Sequence, residues 1–207
     1  MKRATLRLLP LLFGIGLAVP DVTVIPRDAE SCSAYPKGPS NNLFYIKTDS
    51  TDKGIADNLF AYDKTIPYFT SPGVSHNVST LVIEASRQID LAKQVYQCQR
   101  NAQLAVYPRN VDINVSHDAG NAFLWEDQGY KPQLYAHEID GVRQPDTYLG
   151  ALGLTTWAFY FRPAPGDGTS PEGYYGAKLS GVPADPDFPP HAGYRPEFYG
   201  FLKVVSA

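Results

Sequence analysis

Several absences narrow the reading of this sequence before any of its features do. No nucleophile elbow, zinc-binding helix, phosphate loop, dinucleotide fingerprint or EF-hand pattern is present, which removes the enzyme classes that announce themselves through those motifs. Beyond the N-terminus no apolar run reaches the roughly 20 residues needed to cross a bilayer, so the mature chain is expected to be soluble. No long amphipathic helix and no repeat of fixed period stands out, which disfavours helical bundles and solenoids. Cysteine is scarce, with two residues in 207. Basic residues are outnumbered, 18 against 21 acidic.

The N-terminus is the exception in hydropathy. Lys2, Arg3 and Arg7 precede an apolar stretch over residues 8–19, interrupted by Pro10 and ended by Pro20, with Gly16 and Ala18 small enough for cleavage. This is the pattern of a secretory signal peptide, residues 1–18, and it is too short for an anchor. An extended leader, 19–42, and a single β domain, 43–207, are expected to follow; 207 residues suit one domain with a proper core. Cleavage removes three basic residues and no acidic one, leaving a net charge of about −6. An acidic chain of this kind disfavours nucleic acid and anionic lipid as partners. The expected destination is extracellular or the lumen of the secretory pathway.

That compartment is oxidising, so Cys32 and Cys98 are expected to form one disulfide. Two acceptor sequons begin at Asn77 and Asn114, and the N-glycans they would carry fit the same route. Asn114 lies in Val111–Val115, where apolar and polar residues alternate, so its side chain is expected to face solvent.

The strongest strand signal covers residues 155–162. Trp157, Phe159 and Phe161 share one face at the period of two that a pleated strand imposes. Gly150 and Gly153 precede it and Pro163 and Pro165 follow, so its ends are defined. Three large rings on one face make it a core or pocket strand. Further strands are expected at 43–47, 80–84, 103–107, Val111–Val115, 122–126, 133–137, Tyr174–Leu179 and Phe198–Ser206. The first is apolar on both faces and should be buried on two sides or lie beneath a loop. Residues 87–99 fit strand or helix and are assigned to strand. Segments 122–126 and 133–137, around Asp127-Gln128-Gly129, read as a second hairpin after the one at 103–115. Nine or ten short strands with turns between them describe an all-β fold, an antiparallel β-sandwich or flattened barrel.

Residues 163–196 are Pro- and Gly-rich and too long for an ordinary connection. They carry Tyr174, Tyr175, Phe188, His191 and Tyr194, and read as a lid over a cavity. His191, Tyr194 and Arg195 bring an imidazole, a phenol and a guanidinium together and are the candidate catalytic residues; the alternative is that Arg195 and Glu197 only pin the loop. Trp125, Trp157, Phe159, Phe161, Tyr174 and Tyr175 are the candidate substrate-binding residues, with core the preferred reading for Trp157 and exposed stacking the preferred one for Tyr174 and Tyr175. His117-Asp118 and His137-Glu138 are adjacent pairs whose members point to opposite faces of a strand, so neither is a ready-made dyad. His76 stands beside a sequon and is expected at the surface. Glu126 with Glu138 or Asp140 would serve glycoside hydrolysis only at a suitable separation. Asp185 and Asp187 lack a third ligand at usable spacing, so no metal is expected, and no cofactor is implied.

This plan of leader, cysteine pair, two sequons, aromatic β segments and Pro-rich loop resembles the small secreted glycoproteins of filamentous fungi. In size and character it is similar to the secreted hetero-Diels–Alderases of fungal tropolone–sesquiterpenoid clusters. The likeness is one of plan, without a shared motif, and transfers no functional residue. It implies a cofactor-free β protein of secondary-metabolite biosynthesis acting on a small molecule. A pericyclic step needs chiefly orientation in an apolar cavity and one or two hydrogen-bond donors, which suits a chain with no triad. The competing expectations are a non-catalytic effector or glycan- or cell-wall-binding protein, marked by an aromatic stripe on an exposed sheet face, and a structural protein with its aromatics in the core.

Overall fold

The computed structural model of the chain describes residues 19–27, 32–36, 43–71, 74–84, 93–99, 103–107, 111–115, 122–124, 129–163, 173–182 and 195–207. The described residues form fourteen strands: β1 (Thr23–Pro26), β2 (Leu43–Asp49), β3 (Ala61–Ser71), β4 (Val74–Glu84), β5 (Tyr96–Cys98), β6 (Leu104–Val106), β7 (Val111–Val115), β8 (Ala122–Leu124), β9 (Gln133–Ile139), β10 (Val142–Arg143), β11 (Thr147–Gly150), β12 (Thr156–Arg162), β13 (Tyr174–Leu179) and β14 (Phe198–Ser206). Two single 3-10 turns, Cys32–Ala34 and Gly54–Ala56, are the helical elements among the described residues. All pairings are antiparallel within one sheet. The all-β antiparallel architecture expected from the turn-punctuated strands is therefore the one found.

β14 organises the sheet. Its residues 201–206 pair with β2 along one edge, while β11 and then β12 run along the other. β11 and β12 thus form one line, interrupted by an excursion at residues 151–155. From β12 the pairing continues through β13, β4, β8, β7, β6 and β5 back to β2. The ring does not close as a barrel: β3 occupies one edge of β4 along its length, so β13 and β8 share the other. The result is a sheet folded on itself as a sandwich or flattened barrel.

The inward faces make one core. Phe44 and Ile46 from β2, Leu81 and Ile83 from β4, Leu104 and Val106 from β6, Ile113 and Val115 from β7, Trp157 and Phe159 from β12, and Leu202 and Val204 from β14 belong to a single buried cluster. Tyr96 of β5 joins it, and the disulfide Cys32–Cys98 clamps the leader to the end of that strand, with Cα atoms 5.5 Å apart. β2 shows the period of two directly: Phe44, Ile46 and Thr48 are buried, while Leu43, Tyr45, Lys47 and Asp49 are half-buried. The residues after β2 supply the cover expected on its other side, since Tyr45 meets Phe60 edge-on at 5.3 Å and the Lys47 ammonium lies 4.3 Å from the same ring.

Three local expectations are corrected. The sequence pattern alone reads residues 58–62 as a short aromatic piece and 67–70 as another brief extended piece, yet one strand, β3, runs from Ala61 to Ser71 and pairs with β4. β8 does not form a hairpin with β9; it pairs with β7 and β4, whereas β9 pairs with β1, β10 and β11. Asn114 is buried, 7% exposed, and its amide oxygen accepts from Gln103 Nε2 at 3.4 Å. The alternation expected to turn it to solvent holds locally, but both faces of β7 are covered at residues 113–115. Of the 87–99 segment, residues 93–99 are described and contain β5.

Candidate functional site

The aromatic residues proposed as one lining divide into three environments. Trp157 and Phe159 are fully buried, and the indole Nε1 of Trp157 donates to the Leu149 carbonyl at 2.9 Å; Trp157 is core. Tyr174 stands on the opposite face of β13 from Tyr175, 6% exposed, with the Lys64 ammonium 5.1 Å from its ring. Its expected exposed stacking is overturned: the ring is buried, with Lys64 of β3 against it. Trp125, His191 and Tyr194 lie outside the described residues, as do Glu126, Asp185 and Asp187. Arg195 is exposed, just before β14.

What the fold does assemble is an aromatic ladder. Phe159 and Phe198, paired across β12 and β14, stack at 4.7 Å. Tyr175 meets Phe198 edge-on at 5.0 Å, and Phe161, paired with Tyr175 across β12 and β13, lies 5.6 Å beyond. Exposure rises along it, from zero at Phe159 to 40% at Phe161. Phe161 is therefore a rim residue, not the core residue that its place in the strand pattern suggested. The period of two assigns it to the right face, but the core ends one residue pair before it. Gly173, φ +85, fits beneath the Phe161 ring, where a Cβ would stand 2.9 Å from two ring carbons. Residues 163, 173 and 195 all flank this end, so the ladder surfaces where the Pro- and Gly-rich segments join the sheet.

A second cluster lies on the outward face of β9, β11, β14 and β2. His137 is 1% exposed and stacks on Tyr148 at 3.8 Å with rings nearly parallel, while Phe201 meets it edge-on at 4.4 Å. Its Nε2 shares a 2.9 Å hydrogen bond with Thr155 Oγ1. Burial pushes the imidazole down to about 4, against a smaller opposing pull from Asp49, so it is neutral at physiological pH. The Tyr148 hydroxyl donates to Asp49 Oδ2 at 3.1 Å, and burial followed by the Asp49 charge raises its pKa. Lys203 donates to Asp49 Oδ1 at 2.9 Å and faces Asp146 at 3.6 Å. Burial alone would lower the Lys203 pKa, but Asp49 and Asp146 outweigh it and the pKa is raised. His137 and Glu138 do face opposite ways, the first buried and the second half-buried.

No local pattern joins His137 of β9 to Tyr148, Thr155, Asp49 and Lys203, which come from three other strands and one excursion. The legible signal was alternation within 133–139, which puts Tyr135 and His137 on one face. Every partner of His137 in this cluster is a packing or hydrogen-bonding group, and Thr155 is itself 2% exposed. The arrangement ties the excursion to the sheet. Among the described residues no group of three or more His, Cys, Asp or Glu is placed to hold a metal ion, and no helix is long and apolar enough to cross a membrane. No family model and no curated protein matches the sequence.

Proposed function

We propose that this chain is a secreted β protein that takes an apolar, ring-bearing small molecule at the Phe161–Tyr175 end of its aromatic ladder. There it acts as a cofactor-free cyclase of the hetero-Diels–Alder type in secondary metabolism. The observation that carries the reading is the ladder itself: stacked rings that run from a fully buried Phe159 to a 40% exposed Phe161. Such a surface offers ring faces and edges to a ligand with little side-chain ordering. Catalysis by orientation asks little more than this plus hydrogen-bond donors, the role expected of His191, Tyr194 and Arg195.

Comparing secreted metabolites by mass spectrometry, with and without the gene in the source organism, tests the proposal. Loss of one product with accumulation of uncyclised precursors is expected, with the defect restored by the wild-type gene but not by Phe161→Ser. His191→Ala and Arg195→Ala are expected to fold normally and restore product formation poorly.

A second reading has its own observation. Tyr199 is 37% exposed on the outward sheet face, beside half-buried Tyr160 whose ring lies 5.2 Å from the Lys178 ammonium. This is a small aromatic patch of the kind that binds glycans. An unchanged metabolite profile, with retention on insoluble cell-wall polysaccharide that Tyr199→Ala abolishes, would replace the cyclase reading with this one.

A further inference from the structure

Two buried side-chain polar atoms have no hydrogen-bond partner among the described residues, Arg27 Nε and the Tyr35 hydroxyl. Arg27 is only half-buried, and its guanidinium has further N–H donors. Tyr35 has one hydroxyl and is 4% exposed within the core cluster. It is held there firmly. Its backbone N–H donates to Cys32 across the 3-10 turn at 3.2 Å, and Cys32 is bonded to Cys98 at the end of β5. Its ring stacks on Phe44 at 4.9 Å, and Phe44 stacks on Tyr96 at 6.2 Å.

Other polar-tipped aromatics among the described residues are paired. Tyr96 donates to the Ala61 carbonyl at 3.0 Å, Trp157 to Leu149 at 2.9 Å, and Tyr148 to Asp49 at 3.1 Å. An unpaired buried hydroxyl gives up its bond to water with nothing in return, so a group of this kind calls for a partner. We infer that Tyr35 is the hydrogen-bond donor of an interior site at the Cys32–Cys98 end of the fold, which takes an uncharged apolar molecule carrying a carbonyl. The stacked rings of Tyr35, Phe44 and Tyr96 suit a flat apolar body, and the apolar cluster around them suits no charge. Burial raises the Tyr35 pKa, so the hydroxyl stays protonated and donates across the physiological range.

This site is separate from the ladder. Phe44 pairs with Ser206 and Phe159 with Phe198, at opposite ends of β14, about 26 Å apart at roughly 3.3 Å per residue. The two readings therefore stand or fall independently.

The test is binding of a fluorescent naphthyl ketone and of its alkyl analogue, in which methylene replaces the carbonyl, to wild type, Tyr35→Phe and Phe161→Ser. Wild type is expected to prefer the ketone by about tenfold, the worth of one buried hydrogen bond. Tyr35→Phe should lose that preference, keep its affinity for the alkyl analogue, and melt at or above the wild-type temperature because an unpaired hydroxyl is gone. Phe161→Ser should keep the preference. A ketone preference that survives Tyr35→Phe, or no ketone binding by wild type, overturns the inference. Loss of ketone binding in Phe161→Ser with Tyr35→Phe silent also overturns it and assigns the ligand to the ladder. Dependence on Tyr35 alone sustains it even where the ladder reading fails.

Discussion

His137 and Trp157 are both polar-tipped rings sunk in apolar surroundings, and they differ in what pH does to them. Trp157 is fully buried with its single donor paired, so its replacement acts through volume. Trp157→Ala is expected to cost about 3–5 kcal/mol, read as a lowered denaturant midpoint. His137 acts through its proton. Its folded pKa of about 4 lies below the ordinary 6.5, so the unfolded chain takes up a proton first as the pH falls. The stability that this group contributes is complete above pH 6.5, declines between 6.5 and about 4, and is constant below. The shift corresponds to roughly 2 kcal/mol after allowance for solvent screening. Denaturant titrations at about pH 7 and about pH 4.5 should show this loss in wild type and a smaller one in His137→Gln. An identical pH slope in the two proteins would remove His137 as its source.

The excursion at residues 151–155 shows how one element is shaped by its surroundings. Ala151 and Leu154 exchange backbone hydrogen bonds of 3.1 and 2.8 Å around Leu152 and Gly153, both at positive φ. That is the conformation of a type I′ turn, for which Gly153 is suited and Leu152 is not. Two bonds fasten the turn to β9, from the Gly153 N–H to the Tyr135 hydroxyl and between Thr155 and His137, each at 2.9 Å. Gly150 permits the close return, because a Cβ there would stand 1.9 Å from the Leu154 carbonyl oxygen. Gly150→Ala is expected to destabilise by about 3 kcal/mol or more. Gly176→Ala, where a Cβ meets nothing within 4 Å, should be neutral or stabilise slightly through the unfolded chain. Thermal melts of the pair check this, and equal shifts would show that close backbone approach is not the cause.

For the molecule as a whole, the decisive joints are those far apart in sequence. Cys32 and Cys98 are separated by 66 positions, and loop-closure entropy for that length corresponds to roughly 4 kcal/mol. Replacing both cysteines by serine should lower the unfolding free energy by about that amount. A loss below about 1 kcal/mol would mean that the reduced chain already keeps the leader against β5 when unfolded. The second long-range joint is β14, the last strand, which pairs with β2, β11 and β12. Until it docks, β2 and the β11–β12 line have no common neighbour. The third is β4, whose shared edge leaves the ring open.

Local pattern determined much of this protein. The alternating rings of 156–161, the apolar run of β2 and the turn residues between short segments were enough for an all-β antiparallel fold, because side-chain period and turn chemistry depend on near neighbours. The cysteine pairing was equally legible, since two thiols expected to meet an oxidising compartment have one partner each. Only the tertiary structure decided which faces are covered and by what. It buried Asn114 and Tyr174, left Phe161 at the rim, and brought His137 to Thr155 and Tyr148. It also left the Tyr35 hydroxyl without a partner among the described residues. Those outcomes depend on strand order and on where the core ends, and strand order is set by pairings between residues as far apart as Phe44 and Ser206, about which the local pattern carries no information.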